Sequence, residues 1–169
     1  MPRDIMNQMI LYFGSDTRRI THAMKVYCFS YALWEEEARE KHIPDTDTRK
    51  ETLLIAAVLH DIGIHEAERK YGSAAGKYQE IEGPPIAREI MKKCGVAGKT
   101  AERVLFLIGN HHSYRQIDDT DFQILVEADL IVNLEEDGLG RAAVLAAREQ
   151  YMTTAGSKRI LDSYLLLNE

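Results

Sequence analysis

The sequence predicts an all-α fold, a single-domain helical bundle. Apolar residues recur at helical spacing, and no segment alternates apolar and polar residues as a half-buried strand would. Turn dipeptides do not recur at the short spacing of a β-rich chain. A length of 169 residues with 45% hydrophobic content is enough for one domain with a core and short for two, so we expect residues 1–169 to form one domain.

The first two helices are separated by a break at Gly14-Ser15-Asp16. A short helix is expected before it, near Asp4 to Tyr12. The Asp16 side chain can cap a long helix that runs to about Lys41 and carries His22. Apolar residues lie on two sides of this long helix, so we expect it to be central in the fold.

The third helix ends in a charged pair. After a polar loop over residues 42–47, an apolar run from Leu53 to Leu59 leads directly into His60-Asp61-Ile62-Gly63, where Gly63 is expected to stop the helix. From Gly63 to Gly83 the chain is charged and dotted with glycines, with one helical turn expected around residues 65–71. Connectors of this length are often functional, so we expect a flexible cover over a site.

Five further helices are predicted. We expect them over Pro84 to Gly95, over Thr100 to His112, from Asp121 onward, over 139–154 and over 157–166. Proline is well tolerated in the first turn of a helix, so Pro84-Pro85 is interpreted as a helix start. The helix opened by Asp121 carries Asp129. The residues that bear motifs lie between about 17 and 133, and the C-terminal helices, 139–166, close the fold.

Composition and charge exclude two classes of partner. The net charge of −6 argues against a nucleic-acid polymer, which requires a basic face, although a small anionic substrate stays possible. The run from Leu53 to Leu59 is the longest apolar one, far below the roughly 18 residues of a membrane span. Cys28 and Cys94 fit no metal or disulfide spacing, and no signal peptide is recognisable, so we expect reduced thiols in a cytoplasmic protein. Monomer and oligomer both stay open.

Ionisable residues occupy positions where the surrounding pattern is apolar. His60 and Asp61 follow the apolar run of the third helix, and Asp129 lies inside the apolar run 125–132. Burying an uncompensated carboxylate costs several kcal/mol, and one shared cation would satisfy several such groups at once. Imidazole and carboxylate are suitable ligands for iron, manganese, zinc, cobalt or nickel, so we expect a divalent transition metal.

Each of these residues also has a purely structural interpretation. His22 could be a hydrogen-bonded core histidine, and Asp61 could serve only to end its helix. Asp129 could be the buried ion-pair partner of an arginine such as Arg103. The three structural alternatives are independent of one another, whereas a shared metal would account for all of these residues together.

Four segments, taken together, resemble a known superfamily. In sequence order they are Arg19 to Val26, Leu59 to Gly63, His111-His112 and Glu127 to Leu130. Over about residues 17–133 the chain resembles the HD-domain metal-dependent phosphohydrolase superfamily. The resemblance implies a helical bundle of the HD-domain type that binds one divalent metal. Its implied ligands are His22, His60, Asp61 and Asp129.

The resemblance also implies a second site for an ion or for the substrate phosphate. His111 and His112 are similar to the downstream histidines that fill this role in two-metal members, although histidine is also favoured at a helix C-terminus. Where those members place a histidine, four residues before a glycine, this chain has Gln79. Glu80 or Glu82 would then have to supply the missing ligand, or else face solvent.

The activity implied by the resemblance is hydrolysis of a small phosphate ester, in particular a nucleotide. Hydroxide on the metal would attack phosphorus while Asp61 orients it. His111 or His112 would protonate the leaving oxygen or bind a phosphate oxygen. The candidate substrate contacts are Arg19, Lys70, Gln79 and Arg115.

Departures from subclass patterns narrow this activity. Ile64 and Ser113-Tyr114-Arg115 stand where cyclic-dinucleotide phosphodiesterases carry a lysine and a Gly-Tyr-Pro signature. His65-Glu66 does not reproduce the acidic pair of alarmone hydrolases. Two rival functions stay open. One is a nucleotide-binding sensor without turnover, and the other is a di-iron oxygenase, which the departure at Gln79 disfavours.

Overall fold

The computed structural model describes residues 2–44 and 46–166, and it confirms the all-α fold. Within those ranges the regular structure is helical, with no strand. The α-helices are α1 (Pro2–Phe13), α2 (Thr17–Glu40), α3 (Thr48–Leu59), α4 (Ile64–Tyr71), α5 (Gly76–Lys93), α6 (Gly98–Ile108), α7 (Thr120–Glu136), α8 (Arg141–Tyr151) and α9 (Ala155–Leu161). A 3₁₀ turn, Tyr114–Gln116, precedes α7, and a π-helical turn, Asp162–Leu166, follows α9.

Aspartates begin the three helices that carry or precede the predicted metal ligands. The Asp16 carboxylate accepts a hydrogen bond from the Arg19 amide at 3.2 Å, which confirms the predicted start of α2. Asp47 accepts from the Arg49 amide at 2.9 Å at the start of α3, and Asp119 caps α7 in a similar way. Each cap satisfies an amide that has no partner within its helix.

Helix α3 lies at the centre of the packing. Its residues 52–59 are all buried, and it packs against α1, α2, α6 and α7. A helix can be apolar on every side when each side has a neighbour. Because α3 also ends inside the protein, His60 at its C-terminal end is fully buried.

Helix α2 is covered on one side and partly open on the other. It packs against α1, α3, α7 and α9, and Val26 and Leu33 on its inner side are buried. Met24 and Tyr31, on the second apolar side, are 42% and 44% exposed. The expected central position of α2 agrees with its four neighbouring helices, but these two residues of its second apolar side are not covered.

The stretch between Gly63 and Gly83 is helical and not a flexible cover. Helices α4 and α5 occupy most of it, and α5 begins at Gly76, so the prediction that Pro84-Pro85 opens a helix is wrong. A Cβ atom on Gly63 would lie 2.5 Å from the backbone nitrogen of Gly83. The absence of a side chain at Gly63 and Gly83 therefore lets α5 approach the turn after α3 closely. This packing stabilises the turns of α5 that precede the two prolines.

The first of the two C-terminal helices is shorter than predicted, since α8 ends at Tyr151, whereas α9 and the π-helical turn after it together reach Leu166 as predicted. The backbone N–H groups of Thr153 and Thr154 donate to the Glu127 carboxylate at 2.6 and 3.0 Å. Those amides are thereby withdrawn from the helical hydrogen-bond pattern. A carboxylate of α7 thus sets the end of α8.

One buried apolar cluster includes side chains from every helix, α1 through α9. A single domain requires such a shared core, and the single-domain organisation of residues 1–169 stays a prediction. In the part of the chain that the structure describes, no helix is long and apolar enough to cross a membrane.

Candidate metal centre

Three buried side chains from distant parts of the chain converge at the inner end of α3. The Nε2 atom of His22 on α2 lies 3.1 Å from Nε2 of His60 and 3.1 Å from Oδ1 of Asp129 on α7. The His60 Nε2 atom lies 3.4 Å from the same Asp129 oxygen. All three side chains are buried. The packing of α2, α3 and α7 thus brings two imidazoles and a carboxylate to one point.

Asp61 adds a fourth donor to this point. Its Oδ2 atom lies 3.7 Å from Nε2 of His22 and 3.6 Å from Nε2 of His60. Its side chain keeps 18% of its surface exposed, which is more than any of the other three. Asp61 therefore stands where the buried cluster meets solvent.

The hydrogen bonds of the two imidazoles leave their Nε2 lone pairs facing each other. Nδ1 of His60 donates to the backbone oxygen of Ala57 at 2.9 Å, and Nδ1 of His22 donates to Oε2 of Glu136 at 3.1 Å. A neutral imidazole has only one N–H, so each Nε2 atom is an acceptor. Two lone pairs and a carboxylate oxygen in mutual contact repel one another unless a positive charge lies between them. The residues present therefore fit a divalent metal.

The electrostatics of the cluster agree with this requirement for positive charge. Burial disfavours a charged His22, but the carboxylates of Asp129, Asp61 and Glu136 outweigh it and raise its pKa to about 9. Burial likewise opposes ionisation of Asp61, but the facing imidazoles of His60 and His111 hold its pKa well below the usual range. The pKa of Asp129 is lowered for the same reason, by His22 and His60 against burial. A proton on His22 is thus favoured when no metal is bound.

A second cluster shares Asp61 with the first. Donor atoms of Asp61, His111 and His112 all lie within 4.8 Å of one another. The Oδ1 atom of Asp61 lies 3.4 Å from Nε2 of His111, so the two carboxylate oxygens of Asp61 face different clusters. Nδ1 of His111 donates to the backbone oxygen of Ile108 at 2.8 Å, which again leaves Nε2 as an acceptor.

The Nε2 atoms of both histidines in this second cluster are buried without a hydrogen-bond partner among the residues that the structure describes. A buried polar atom without a partner is costly, so such atoms commonly indicate a missing ligand or ion. Burial, followed by the neighbouring His111, lowers the pKa of His112 to about 4. His112 is therefore neutral at physiological pH and can coordinate a metal or form a hydrogen bond.

Residues 19–150 match a family model, that of the HD domain, over well more than half of the chain. The chain belongs to the HD-domain family. Members of this family are generally metal-dependent phosphohydrolases that bind divalent metals. No curated protein and no solved structure matches the chain.

In this HD domain the histidine pair lies in a turn and not in a helix, because α6 ends at Ile108. Glu80 on α5 holds that turn by accepting hydrogen bonds from the His112 amide and the Ser113 hydroxyl, both at 3.1 Å. A Cβ atom on Gly76 would lie 2.5 Å from the His112 ring, so the imidazole packs directly on the α5 backbone. The start of α5 therefore positions His112.

The other sequence-predicted residues near the second cluster have separate partners. Glu82 accepts hydrogen bonds from Lys70 at 2.6 Å and from the Tyr71 hydroxyl at 3.0 Å. Gln79 is buried and donates to the backbone oxygen of Ala74 at 2.7 Å. Its Oε1 atom is buried and has no hydrogen-bond partner in the described ranges of the chain.

The predicted substrate contacts differ in their availability. Arg19 donates to Glu68 at 2.8 Å, and Lys70 is held by Glu82. Arg115 is exposed on the 3₁₀ turn just after the histidine pair. Arg19 and Lys70 would have to leave a carboxylate before either could bind a phosphate.

The alternative in which Arg103 pairs with Asp129 is wrong. Arg103 donates to Asp121 at 2.6 Å and to Asp118 at 2.7 Å. The sequence had offered Asp121 only as a helix start, yet it is fully buried against this arginine. Among the residues that the structure describes, the ionisable partners of Asp129 are therefore the imidazoles of His22 and His60 and not a guanidinium.

Sequence reasoning missed the residues that hold the metal-facing groups in place. The Asn133 amide donates to Oδ1 of Asp129 at 2.9 Å, and Glu136 holds His22. Lys25 donates to Oε1 of Glu136 at 3.2 Å. Asp129, Asn133 and Glu136 lie four and then three residues apart, so they share one face of α7. That spacing was the signal in the sequence that would have found Asn133 and Glu136.

Proposed function

We propose that this HD domain hydrolyses a small phosphate ester, in particular a nucleotide, with a divalent transition metal held by His22, His60, Asp61 and Asp129. The observation that carries the proposal is that the Nε2 lone pairs of two imidazoles converge on ionised carboxylates. The Nδ1 atom of each of these imidazoles already donates a hydrogen bond to another group. When bound, the metal supplies a Lewis acid that lowers the pKa of water and offsets charge on the phosphoryl oxygens.

Asp61 is positioned to act on the attacking water. Its Oδ2 atom faces His22 and His60, while its Oδ1 atom faces His111, 3.4 Å away. The lowered pKa keeps this carboxylate ionised, so it accepts hydrogen bonds from the water that it orients. Asp61 is therefore both a ligand and the group that orients the nucleophile.

His111 and His112 have different roles in this proposal. His112, whose pKa is about 4, stays neutral and binds a phosphoryl oxygen or a second ion. His111 is assigned the role of protonating the leaving oxygen. Its Nε2 atom faces Asp61, so it can receive the proton that the water oriented by Asp61 loses and pass that proton to the leaving oxygen. Glu80 is a positioning residue, since it contacts the turn that carries both histidines. Of the candidate substrate contacts, Arg115 is the best placed to bind an anion, because it is exposed beside this turn.

The experiment that tests this proposal combines elemental analysis with an activity screen. Protein purified without chelator is expected to carry one or two transition-metal ions per chain and to release phosphate from a nucleotide panel in the presence of that metal. Asp61→Ala is expected to abolish both properties, while Asp137→Ala, an exposed carboxylate at the end of α7, is expected to alter neither. Full metal occupancy in Asp61→Ala would overturn the ligand assignment.

A di-iron oxygenase is a rival candidate that Gln79 disfavours, and the donor cluster of Asp61, His111 and His112 is the observation that favours it. Two irons per chain with oxygen uptake by the reduced protein, and no phosphate release, would select it. Binding of a nucleotide without turnover, seen as thermal stabilisation, would instead select a sensor. A cytoplasmic location is part of the proposal, since both Cys28 and Cys94 carry free thiols.

A further inference from the structure

A cavity of about 900 Å³ lies beside the second donor cluster. The 3₁₀ turn, α7 and the C-terminal end of α8 enclose it. Small-molecule sites in proteins commonly have volumes of roughly 300 to 1,000 Å³. The space is thus large enough for a ligand well beyond a phosphate group.

The cavity and the donor cluster share a residue. His112 belongs to the cluster and also lines the cavity, and its buried Nε2 atom has no hydrogen-bond partner in the described part of the chain. Val126 also lines the cavity, one turn before Asp129 on α7. A phosphate group held at the cluster would therefore have the rest of its molecule in this cavity.

The charge of the walls is compatible with an anionic ligand. Among the described residues that line the cavity there is no Asp or Glu, although the chain holds 27 acidic residues against 21 basic ones. The lining includes Arg115, which is exposed. The described walls therefore offer an anionic ligand one positive side chain and no carboxylate that would repel it.

The shape and polarity of the walls favour a planar group. The rings of Tyr114 and Tyr151 meet edge to face with centroids 5.1 Å apart, and both line the cavity. Aromatic side chains of this kind provide surfaces on which a planar ring can stack. Gln116 and Gln150, also in the lining, are exposed and carry amides that donate and accept hydrogen bonds.

We infer that this cavity binds the leaving group of the substrate, an uncharged planar group rich in hydrogen-bonding atoms, which is the chemistry of a nucleoside. Tyr151 stacks on the ring system, and Tyr114, whose ring is inclined at 69° to that of Tyr151, contacts the same group by its edge. Gln116 and Gln150 hydrogen-bond the polar rim of the group. The inference rests on the proposed function for the phosphate end of the substrate. It adds α8 to the substrate site and makes Tyr151 a specificity-determining residue.

The first test measures nucleoside binding, which requires no turnover. Calorimetry on the metal-loaded protein is expected to detect adenosine or uridine and to detect no ribose. Tyr151→Ala is expected to weaken the affinity for the nucleoside by roughly tenfold or more, because stacking on an aromatic side chain is lost. Tyr151→Phe, which keeps the ring, and Leu145→Ala, elsewhere on α8, are expected to bind as the parent does. Equal binding by Tyr151→Ala and the parent would overturn the inference.

The second test separates this inference from the proposed function. Tyr151→Ala is expected to lower kcat/KM for adenosine monophosphate through KM, and by a larger factor than it lowers kcat/KM for glycerol 3-phosphate. If the parent hydrolyses both esters equally well and the variant does the same, the cavity assignment fails while the phosphohydrolase stands. If nucleosides bind in a Tyr151-dependent way but no ester is cleaved, the proposed function fails while the cavity assignment stands.

Should Tyr151→Ala not fold, Gln150→Trp at the exposed rim would fill the cavity, and unchanged nucleoside binding in that variant would refute the inference.

Discussion

Two buried carboxylates on α7 lie two residues apart and have opposite roles. Glu127 is fully buried, and its hydrogen-bond donors within the described ranges of the chain are all neutral. They come from Gln123 at 2.9 Å, from the Thr153 amide and hydroxyl at 2.6 and 3.0 Å, and from the Thr154 amide and hydroxyl at 3.0 and 2.6 Å. These bonds satisfy the carboxylate completely and fix the junction between α8 and α9.

Asp129 is almost as deeply buried, with 4% of its surface exposed, but it has one neutral donor, the Asn133 amide. Its other close partners are the ring nitrogens of His22 and His60. Burial is therefore the same for Glu127 and Asp129, and only the partners distinguish a structural carboxylate from one that needs a cation. A buried acid indicates function when the protein's own donors leave it unsatisfied.

The largest expected effect that sharpens this comparison comes from Asp129→Ala. Loss of a direct ligand is expected to weaken metal affinity by more than about 100-fold, since loss of an outer partner already costs roughly 10- to 100-fold. Titration of the metal-free protein with zinc or manganese, followed by calorimetry, measures this. Near-parent affinity in the variant would place Asp129 with Glu127 as a structural group.

The reciprocal change, Glu127→Ala, is expected to lower the free energy of unfolding and to leave metal binding unchanged. It strands the buried amide and hydroxyl of Thr154, and unsatisfied buried donors of this kind cost about 2 kcal/mol in total, whereas the amide of the exposed Thr153 can bond to water. For a chain of this size the Tm is then expected to fall by roughly 4–8 °C in a thermal scan. Metal content per chain is expected to equal that of the parent. A loss of metal without a loss of Tm would reverse the roles assigned to the two carboxylates.

A smaller effect is expected at the residue that orients His22. Glu136→Gln keeps a side chain that can accept the Nδ1 hydrogen bond but removes its charge, so metal affinity is expected to fall by roughly tenfold. Glu135→Gln is the matched control, because Glu135 binds Lys25 at 2.6 Å and the His22 contact belongs to Glu136. Equal affinities for the two variants would show that Glu136 acts only through Lys25 and the surface charge of α7.

The sequence was most misleading where glycine and proline have a packing role. Gly76 and Gly83 indicated a flexible connector, yet they lie within α5, where Gly76 contacts the His112 ring and Gly83 approaches Gly63. Pro84-Pro85 indicated a helix start for a similar reason. Local propensity describes what a residue permits, and tertiary contacts override it when a close approach stabilises the less favoured backbone.

By itself the sequence determined the helical character, the start of α2 at Asp16 and the set of ionisable residues placed in apolar surroundings. These properties depend on neighbours within one or two helical turns, which the chain order displays directly. Only the tertiary structure decided that His22 meets Asp129 across 107 positions and Glu136 across 114. It also decided that Glu127 is satisfied by residues beyond α8, because hydrogen bonds between distant segments depend on how helices pack and leave no local pattern.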